Sequence, residues 1–393
     1  MLLEVTTPEF APETAAGKTT HGENVLSQYA VPPVGPNAIG TFISLYAGAG
    51  GLDIGFSLAG FKPVWINELD TNAARTHRSA MRVLSKQMPH VTTAEYEEIV
   101  GDLSSIDENL IPKEGSADLI IGGPPCQGFS VGGKMDPLDP RSRHVFKFLD
   151  MVARVKPKAF VLENVKALYS NRRWAGTRAA LERRGRGLGY RIHTILLNAA
   201  DYGVPQARER MFMIGVRHDL PAPVIPVPTT LNAKLTVRDA LSQLPPFGSV
   251  GNDTFCVARI KAAKDPVLRR SPYAGMLFNG AGRPLDLDSP SGTLPATMGG
   301  NRTPIIDQDW LEGKTATSWV VAHHSSRLNN QAHGEVPPSL RRLTVEEAAA
   351  LQTFPLEMEW HGPVSAQFRQ IGNAVPPRLA LAVAQMLRDV VFV

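Results

Sequence analysis

Cysteine is scarce in this chain, and its scarcity limits the kinds of site that the protein can build. Only Cys126 and Cys256 occur among the 393 residues. Two cysteines cannot supply a disulfide framework or a cysteine-rich metal site, and such usage fits a reducing cytoplasm best. We therefore expect a cytoplasmic protein without a disulfide framework.

Long apolar runs are lacking as well. No uninterrupted apolar run approaches the roughly 20 residues that a membrane helix needs. The first residues, Met1 to Pro8, contain no basic region followed by an apolar core, so they do not match a secretory signal. The sequence predicts a soluble protein with no membrane partner.

A strong excess of one charge is also missing. The 41 Lys and Arg residues exceed the 37 Asp and Glu residues by 41 − 37 = 4, and the isoelectric point is near 9.0. This mild basic balance is compatible with a polyanionic partner, although surface lysines alone give the same value. With 43% hydrophobic and 20% charged residues, the composition suits one large or two moderate globular domains.

What the chain does contain is a rigid loop around one of its cysteines. The apolar run Asp118 to Ile121 predicts a buried strand, and Gly122-Gly123-Pro124-Pro125-Cys126-Gln127 follows it. Glycines allow unusual main-chain angles, and the two prolines fix φ before the cysteine. A cysteine after a strand is more often a buried apolar residue, but packing does not require such a loop. We therefore predict that Cys126 is a nucleophile.

A glycine-rich turn and two acidic residues predict a nucleotide pocket. The predicted strand Thr41 to Tyr46 leads into Ala47 to Phe56, where glycines let a ligand approach a helix amino terminus. Two further predicted strands end in Glu68, which could hold ribose hydroxyls, and in Asp102, which could accept from an adenine amino group. Each acid alone would more often be a solvated strand terminus or a helix cap. Together they describe an adenosine-cofactor pocket.

Another set of polar residues follows the cysteine loop. The predicted strand Lys158 to Leu162 ends in Glu163-Asn164-Val165, and these side chains either cap the next helix or bind something. Farther on, strand-like alternation would put Gln206, Arg208 and Arg210 on one face. An arginine pair of this kind is most often a solvated edge. Beside a thiol and a carboxylate it could instead hold an anion or a base oxygen.

Taken in order, these motifs resemble those of the DNA cytosine-5 methyltransferases, over residues 41 to about 380. The motifs that carry the resemblance are the glycine turn from Phe42 to Gly51, Glu68, Asp102, Pro124-Pro125-Cys126-Gln127, Glu163-Asn164-Val165, Gln206-x-Arg208-x-Arg210, Arg342-Leu343-Thr344 with Glu347 and Gln352, and Gly372-Asn373-Ala374-Val375. A nicotinamide dehydrogenase could share the glycine turn and Glu68, but it would not explain the Pro-Pro-Cys loop. Ser44 stands where many members of the family have Asp, and Leu69 where some have Trp.

The resemblance implies an α/β fold: a doubly wound S-adenosylmethionine-dependent methyltransferase domain with a second, smaller, loop-rich target-recognition domain. It also implies S-adenosyl-L-methionine as cofactor and a cytosine flipped out of the duplex. The cofactor residues that it implies are Phe42, Ala47, Gly48, Gly50, Gly51, Leu52, Glu68, Leu69, Asp102, Leu103, Pro124, Asn373, Ala374 and Val375.

The catalytic residues that it implies are Cys126, Glu163, Arg208, Asn164, Arg210 and Pro125. Cys126 would add to carbon 6 of the base, and Glu163 would hold N3. Arg208 would hold the base carbonyl and help to keep the thiol ionised. Asn164 and Arg210 would support these groups.

The chain divides by composition into four predicted parts. Residues 1–38 read as a flexible extension, 39–218 as the catalytic domain, 219–355 as the target-recognition domain, and 356–393 as a segment that returns to the catalytic domain. In the third part, Ser291 to Thr297 resembles the family's Thr-Leu element. Thr344 to Glu347 predicts a capping box that opens a helix.

Three histidines raise the question of a metal. His323, His324 and His333 have no companion cysteines or ordered carboxylates, so we predict no metal and place these side chains on the surface or facing DNA.

The leading hypothesis is a monomeric, sequence-specific methyltransferase of double-stranded DNA, the protective half of a restriction-modification pair, linked to its endonuclease by function alone. The alternatives are an RNA (tRNA) cytosine-5 methyltransferase of the same fold and a catalytically silent DNA-binding relative.

Overall fold

A mixed β-sheet with helices on both faces forms the centre of the protein. The computed structural model describes residues 28–29, 37–91, 96–125, 143–331 and 334–392. The strands of the sheet are β1 (Gly40–Leu45), β2 (Phe61–Glu68), β3 (Glu97–Val100), β4 (Leu119–Gly122), β5 (Ala159–Val165), β6 (Tyr190–Asn198) and β7 (Glu209–Arg217). They lie in the order β3-β2-β1-β4-β5-β7-β6. β1 to β5 are parallel, and β7 is antiparallel to both of its neighbours.

Two hydrophobic clusters, one on each face, account for the doubly wound arrangement. The helices of this part are α1 (Gly51–Leu58), α2 (Thr71–Ser85), α3 (His144–Val155), α4 (Lys166–Ser170) and α5 (Ala175–Gly187). Alternate residues of β1 enter opposite clusters: Phe42 joins the side chains of α1 and α2, and Ile43 joins those of α3 and α5. The predicted fold class is confirmed.

Helix α3 illustrates how the sequence selects its buried face. Val145, Phe148, Leu149 and Val152 recur at helical spacing, and all four are fully buried against the sheet. The helix ends where Lys156 takes a left-handed conformation with φ of 52°. This stripe therefore forms the core-facing side of α3.

The region from 219 onward is built from short elements. Their bounds are α6 (Val237–Leu241), β8 (Ala262–Val267), β9 (Met276–Phe278), β10 (Ile305–Asp307), α7 (Gln308–Leu311), α8 (Trp319–Leu328) and β11 (Leu340–Arg342). β8 pairs with β9, and β10 pairs with β11. A separate small cluster that includes Phe278, Ile305 and Val320 packs this region.

The histidines of α8 correct a prediction. His323 and His324 are only 3% and 5% exposed. The His323 ring stacks on that of Trp319, with centroids 4.7 Å apart, and Nε2 of His324 lies 2.8 Å from the carbonyl oxygen of Arg269. They belong to the packed interior of this region and do not face solvent or DNA, because the His323 ring packs against the rings of Trp319 and Phe278 and the His324 ring has a backbone partner. His333 lies outside the described residues.

The chain then returns to the sheet through three helices, α9 (Val345–Leu351), α10 (Val364–Asn373) and α11 (Pro377–Val391). The capping box predicted at Thr344 and Glu347 is present, so that prediction is confirmed. α11 packs on α1 so closely that a Cβ on Gly55 would lie 2.4 Å from the Cβ of Ala380.

Gln28 and Tyr29 are exceptions to the flexible extension expected over residues 1–38. Tyr29 is 3% exposed and belongs to the larger hydrophobic cluster. For the remainder of that stretch the expectation stays a prediction. Within the described residues, no helix is long and apolar enough to cross a membrane.

Candidate active site

The three predicted motifs begin side by side at one edge of the sheet. Leu45, the last residue of β1, pairs with Gly122 at the end of β4, and Gly122 pairs with Leu162 of β5. The glycine turn therefore leaves the sheet next to the cysteine loop, and Glu163 lies immediately beyond the shared register. This edge carries the carboxyl ends of parallel strands, where α/β sheets bind their ligands.

The glycine turn needs its glycines for two different reasons. Gly48 and Gly50 have φ of 58° and 87°, which side chains resist. A Cβ on Gly51 would lie 2.1 Å from the carbonyl oxygen of Val375, so only glycine lets these two segments meet. Around Gly48, by contrast, nothing lies within 4 Å of the Cβ position. The turn is therefore tightly packed at Gly51 and has open space at Gly48.

Glu68 and Asp102 lie at the ends of neighbouring strands, as expected. Oε2 of Glu68 accepts from the amide of Gly48 at 2.7 Å, so the carboxylate fixes the glycine turn itself. Asp102 follows β3, is exposed, and accepts from the amide of Ser104 at 2.8 Å. That backbone hydrogen bond lowers the pKa of Asp102. Both acids therefore lie at the same edge of the sheet as the turn.

Leu69 and Leu103, the predicted cofactor residues that follow these two acids in the sequence, differ in their exposure to solvent. Leu69 is 68% exposed, whereas Leu103 is 7% exposed and packs in the second hydrophobic cluster.

Phe42 requires a correction. It is fully buried in the middle of β1, where its ring packs 6.2 Å from that of Phe56, so it supports the core and does not line the cofactor edge. The aromatic residue at that edge is Tyr46, which has φ of 56° and whose hydroxyl lies 3.1 Å from Nδ1 of His144. Sequence reasoning missed Tyr46, although its place between strand and glycine turn could have identified it.

A buried polar network supports the turn from behind. Ser44 donates to Oδ2 of Asp53 at 2.9 Å, and Nε2 of His77 lies 3.1 Å from Oδ1 of the same carboxylate. All three residues are fully buried. The His77 ring is so close to the turn that a Cβ on Gly50 would lie 2.8 Å from its Cδ2. Ser44, which stands where many members of the family have Asp, therefore donates a hydrogen bond to Asp53.

Glu163 lies inside β5, buried and paired with an arginine. Its Oε1 is 2.9 Å from Nε of Arg210. Burial raises the pKa of Glu163, and the charges of Arg210 and Arg208 oppose that shift. A Cβ on Gly123 would lie 2.9 Å from Oε2, so the glycine lets the loop pass directly over the carboxyl group. A carboxyl in this setting holds its proton more readily than an exposed one.

Asn164 connects the strand to the loop that leads to Cys126. It is 1% exposed, and its Nδ2 donates to the carbonyl oxygen of Pro124 at 3.2 Å. Pro124 is buried and Pro125 is partly exposed. Cys126 itself lies outside the described residues, so its predicted position stays a prediction.

Arg208 is placed differently from Arg210. Its Nη1 donates to the carbonyl oxygen of Leu294 at 3.1 Å, and its Nη2 to that of Gly372 at 2.6 Å. The side chain is fully buried. These bonds join the predicted Thr-Leu element and the end of α10 to the segment before β7. Arg210, rather than Arg208, is the arginine that donates to Glu163.

The end of α10 completes the edge. Asn373 is exposed, and Ala374 and Val375 follow it toward α11, where the Val375 carbonyl meets Gly51. A Cβ on Gly372 would lie 2.5 Å from the Cα of Ala296, so the segment around Ala296 approaches here too. Among the described residues, no group of three or more His, Cys, Asp or Glu side chains could hold a metal ion.

Comparison with known proteins gives a consistent result. The family described as C-5 cytosine-specific DNA methylase matches residues 40–389. The type II methyltransferase M1.HphI of Haemophilus parahaemolyticus is 32% identical over 357 residues, which cover 88% of this chain and 86% of that protein. The type II methyltransferase M.Eco47II of Escherichia coli is 32% identical over 353 residues, covering 89% and 79%.

Solved structures share the fold. The Dnmt2 methyltransferase of S. pombe superposes with a TM-score of 0.58 at 17% identity, covering 89% of this chain and 98% of that one. The methyltransferase EhMeth of Entamoeba histolytica gives a TM-score of 0.60 at 15% identity, covering 90% and 98%. At such identities the likeness concerns the fold alone.

Proposed function

The chain belongs to the family of C-5 cytosine-specific DNA methylases and is a DNA cytosine-5 methyltransferase, and we propose that it methylates a cytosine flipped out of double-stranded DNA through a covalent bond to Cys126. The observation that supports this mechanism most directly is the setting of Glu163. It is a buried carboxyl with a raised pKa, paired with Arg210 and lying under the loop that leads to the cysteine.

The residues of the glycine turn fit S-adenosyl-L-methionine as the methyl donor. Open space at Gly48 leaves room for a ligand against the backbone, and Gly51 closes the turn on Val375. Glu68 and Asp102 end neighbouring strands, where they would hold the ribose hydroxyls and the adenine amino group. When bound there, the cofactor supplies an electrophilic methyl group.

Carbon 5 of cytosine is too weak a nucleophile to be methylated directly, and the chain's own groups would activate it. The Cys126 thiolate adds to carbon 6, and the electron pair of the 5,6 double bond moves into the ring, which makes carbon 5 nucleophilic. Glu163 donates its proton to N3 and so neutralises the charge that develops there. After methylation, a base takes the carbon 5 proton, and the electron pair that it leaves restores the 5,6 double bond and expels the Cys126 thiolate. N3 then returns its proton to Glu163, which gives neutral 5-methylcytosine.

The two neighbours of Glu163 would act through position and charge. Arg210 would hold the Glu163 carboxyl and reach the carbonyl oxygen of the base. We assign this role to Arg210 rather than to Arg208, because Arg210 contacts Glu163 whereas Arg208 donates to the carbonyl oxygen of Gly372. Asn164 would fix the loop by its bond to Pro124. Both would keep the reacting atoms in line rather than exchange protons.

Residues 219–355 would read the DNA sequence. Their short elements and scattered basic side chains suit contacts with phosphates and base edges. Because the relatives named above are type II methyltransferases, we propose that this monomeric protein protects DNA in a restriction-modification system.

A covalent trap tests the mechanism. A pool of duplexes in which 5-fluorocytosine replaces cytosine is incubated with the protein and S-adenosylmethionine, and products are run on a denaturing gel. The fluorine blocks the final elimination, so we expect a shifted protein band with the wild type and with Cys256→Ser, the matched cysteine control. Cys126→Ser should give no shifted band while still binding the cofactor product.

A second assay identifies the substrate. Methyl transfer to an unmodified plasmid, mapped by bisulfite sequencing, is the expected result, with 5-methylcytosine at one recurrent sequence. Transfer to tRNA and none to duplex DNA would contradict the proposal, and so would a trapped adduct that survives Cys126→Ser.

A further inference from the structure

We infer that Gln28 and Tyr29 are positioning residues for the methyl-donor site, because they clamp the segment Gln352–Phe354 that packs against the glycine turn. This inference rests on the proposed function, since it assumes that the glycine turn binds S-adenosylmethionine. It assigns a role to two residues of the N-terminal extension that none of the motifs includes.

Tyr29 makes the central contact of the clamp. Its hydroxyl donates to the carbonyl oxygen of Thr353 at 2.6 Å, across more than 300 residues of chain. The side chain is 3% exposed, and burial raises the pKa of Tyr29 well above its usual range, so the hydroxyl stays a donor. A buried donor paired with a backbone acceptor fixes both partners, because either would be costly to leave unpaired.

Gln28 and Arg378 fasten the same segment from two further directions. Nε2 of Gln28 donates to the carbonyl oxygen of Phe354 at 3.0 Å. Arg378, in the first turn of α11, donates to the carbonyl oxygen of Gln28 and lies 5.7 Å from the centre of the Tyr29 ring. The N-terminal residues are therefore held between the clamped segment and α11.

The clamped segment has an unfavourable backbone conformation that needs such support. Thr353 has φ of 62° although it is β-branched, and a conformation of this kind persists only where its surroundings impose it. Besides the bond from Tyr29, its Oγ1 accepts from the amide of Arg378 at 3.3 Å. Without the Tyr29 hydroxyl, one of the contacts that hold Thr353 in this conformation is lost.

Phe354 carries the effect to the cofactor turn. Its ring is fully buried, and its Cζ lies 3.5 Å from the Cβ position of Gly51, beside the Val375 carbonyl. Gln352, the other neighbour of Thr353, donates to the carbonyl oxygen of Ile371 at 2.7 Å, at the end of α10. A relaxed Thr353 would therefore shift residues that pack directly on the glycine turn.

The experiment compares two buried tyrosines that each donate to a backbone carbonyl. Tyr29→Phe removes the bond to Thr353, and Tyr190→Phe removes a bond to Pro157 of 2.8 Å on the other face of the sheet. For each full-length variant we would measure kcat and KM for S-adenosylmethionine at saturating DNA, the Kd of S-adenosylhomocysteine by calorimetry, and Tm. Gln28→Met, which loses the donor to Phe354, serves as a second variant.

We expect Tyr29→Phe to raise both KM and Kd about 2- to 10-fold, the effect of one hydrogen bond, with kcat changed by less than about 2-fold. Gln28→Met should shift them in the same direction, and Tyr190→Phe should lower Tm without changing either. If Tyr29→Phe and Gln28→Met kept the wild-type KM and Kd, whatever their Tm, this inference would be overturned but the proposed function would not. A wild-type protein that binds no S-adenosylhomocysteine would overturn the proposed function as well.

Discussion

Nε of Arg210 lies 2.9 Å from Oε1 of Glu163, whereas Arg208, two residues earlier, donates to the carbonyl oxygens of Leu294 and Gly372. The two arginines of one motif thus have separable tasks. One faces the reacting base in the proposed mechanism, and the other joins three segments of the chain.

Substitution of these arginines should affect different quantities. Arg210→Met should lower the single-turnover rate about 10²- to 10³-fold, because a charge aimed at the reacting base is lost. Arg208→Met should instead lower the free energy of unfolding by roughly 1–3 kcal/mol for each carbonyl left unpaired. Rapid-quench kinetics and urea unfolding measure the two effects. A stable Arg208→Met that has lost its rate would reverse the assignment.

The bond from Asn164 to the Pro124 carbonyl leads to a second prediction. Asn164→Ala frees the loop before the cysteine, and a displacement of about 1 Å can cost 10²-fold in rate. We expect kcat to fall about 10- to 100-fold with an unchanged Kd for S-adenosylhomocysteine.

Asn252 offers a matched control for this variant. It is also buried and also donates to a proline carbonyl, that of Pro245, at 3.0 Å. Asn252→Ala should lose stability but keep its single-turnover rate at saturating DNA. Equal rate losses in both variants would show that Asn164 has no special role.

Local signals in the sequence were sufficient for much of the fold. The apolar runs before Gly122 and Glu163 predict β4 and β5, and the Thr344 capping box predicts the start of α9, because each signal acts within a few residues. The family motifs then placed Glu68 and Glu163 at one edge of the sheet, since parallel strands bring their carboxyl ends together.

Contacts between distant segments could not be predicted in the same way. Alternation placed Gln206, Arg208 and Arg210 on one face, but β7 begins only at Glu209, and Gln206 forms a bridge with Ser291 instead. The partners of Arg208 come from two other parts of the chain, and no local sequence pattern predicts them. The same holds for Tyr29, whose acceptor belongs to Thr353.

The contact of Gly51 with Val375 leads to a third prediction. In Gly51→Ala the new Cβ would lie 2.1 Å from a backbone oxygen, which cannot swing aside as a side chain could. We expect at least a 10-fold weaker Kd for S-adenosylhomocysteine and a loss of about 1–3 kcal/mol in the free energy of unfolding, as overpacking typically costs.

Gly176 is the matched control, because it lies in the first turn of α5 with nothing within 4 Å of its Cβ position. Gly176→Ala should stabilise the protein by about 0.5–1 kcal/mol and leave binding unchanged. Wild-type affinity in Gly51→Ala would mean that the turn can move away from Val375.

The buried pair of His77 and Asp53 should make stability depend on pH in a definite direction. Burial lowers the pKa of His77, but the Asp53 carboxylate, together with Glu98 and Glu68, outweighs that effect and raises it above about 6.5. A histidine whose pKa is raised on folding contributes stability that is fully present below the unfolded pKa. That contribution is lost as the pH rises through the folded pKa.

His77→Gln keeps a donor for Asp53 but cannot take up the charge. The free energy of unfolding of the wild type minus that of His77→Gln should therefore be largest near pH 6 and fall toward pH 9, as measured by urea titration at several pH values. His90 provides a control of opposite sign: it is buried 2.9 Å from the Ser57 carbonyl, and burial lowers its pKa. For His90→Gln the same difference should increase as the pH rises, because the unfolded chain then binds more protons than the folded one. Parallel pH profiles for the two variants would contradict the charge assigned to His77 beneath the glycine turn.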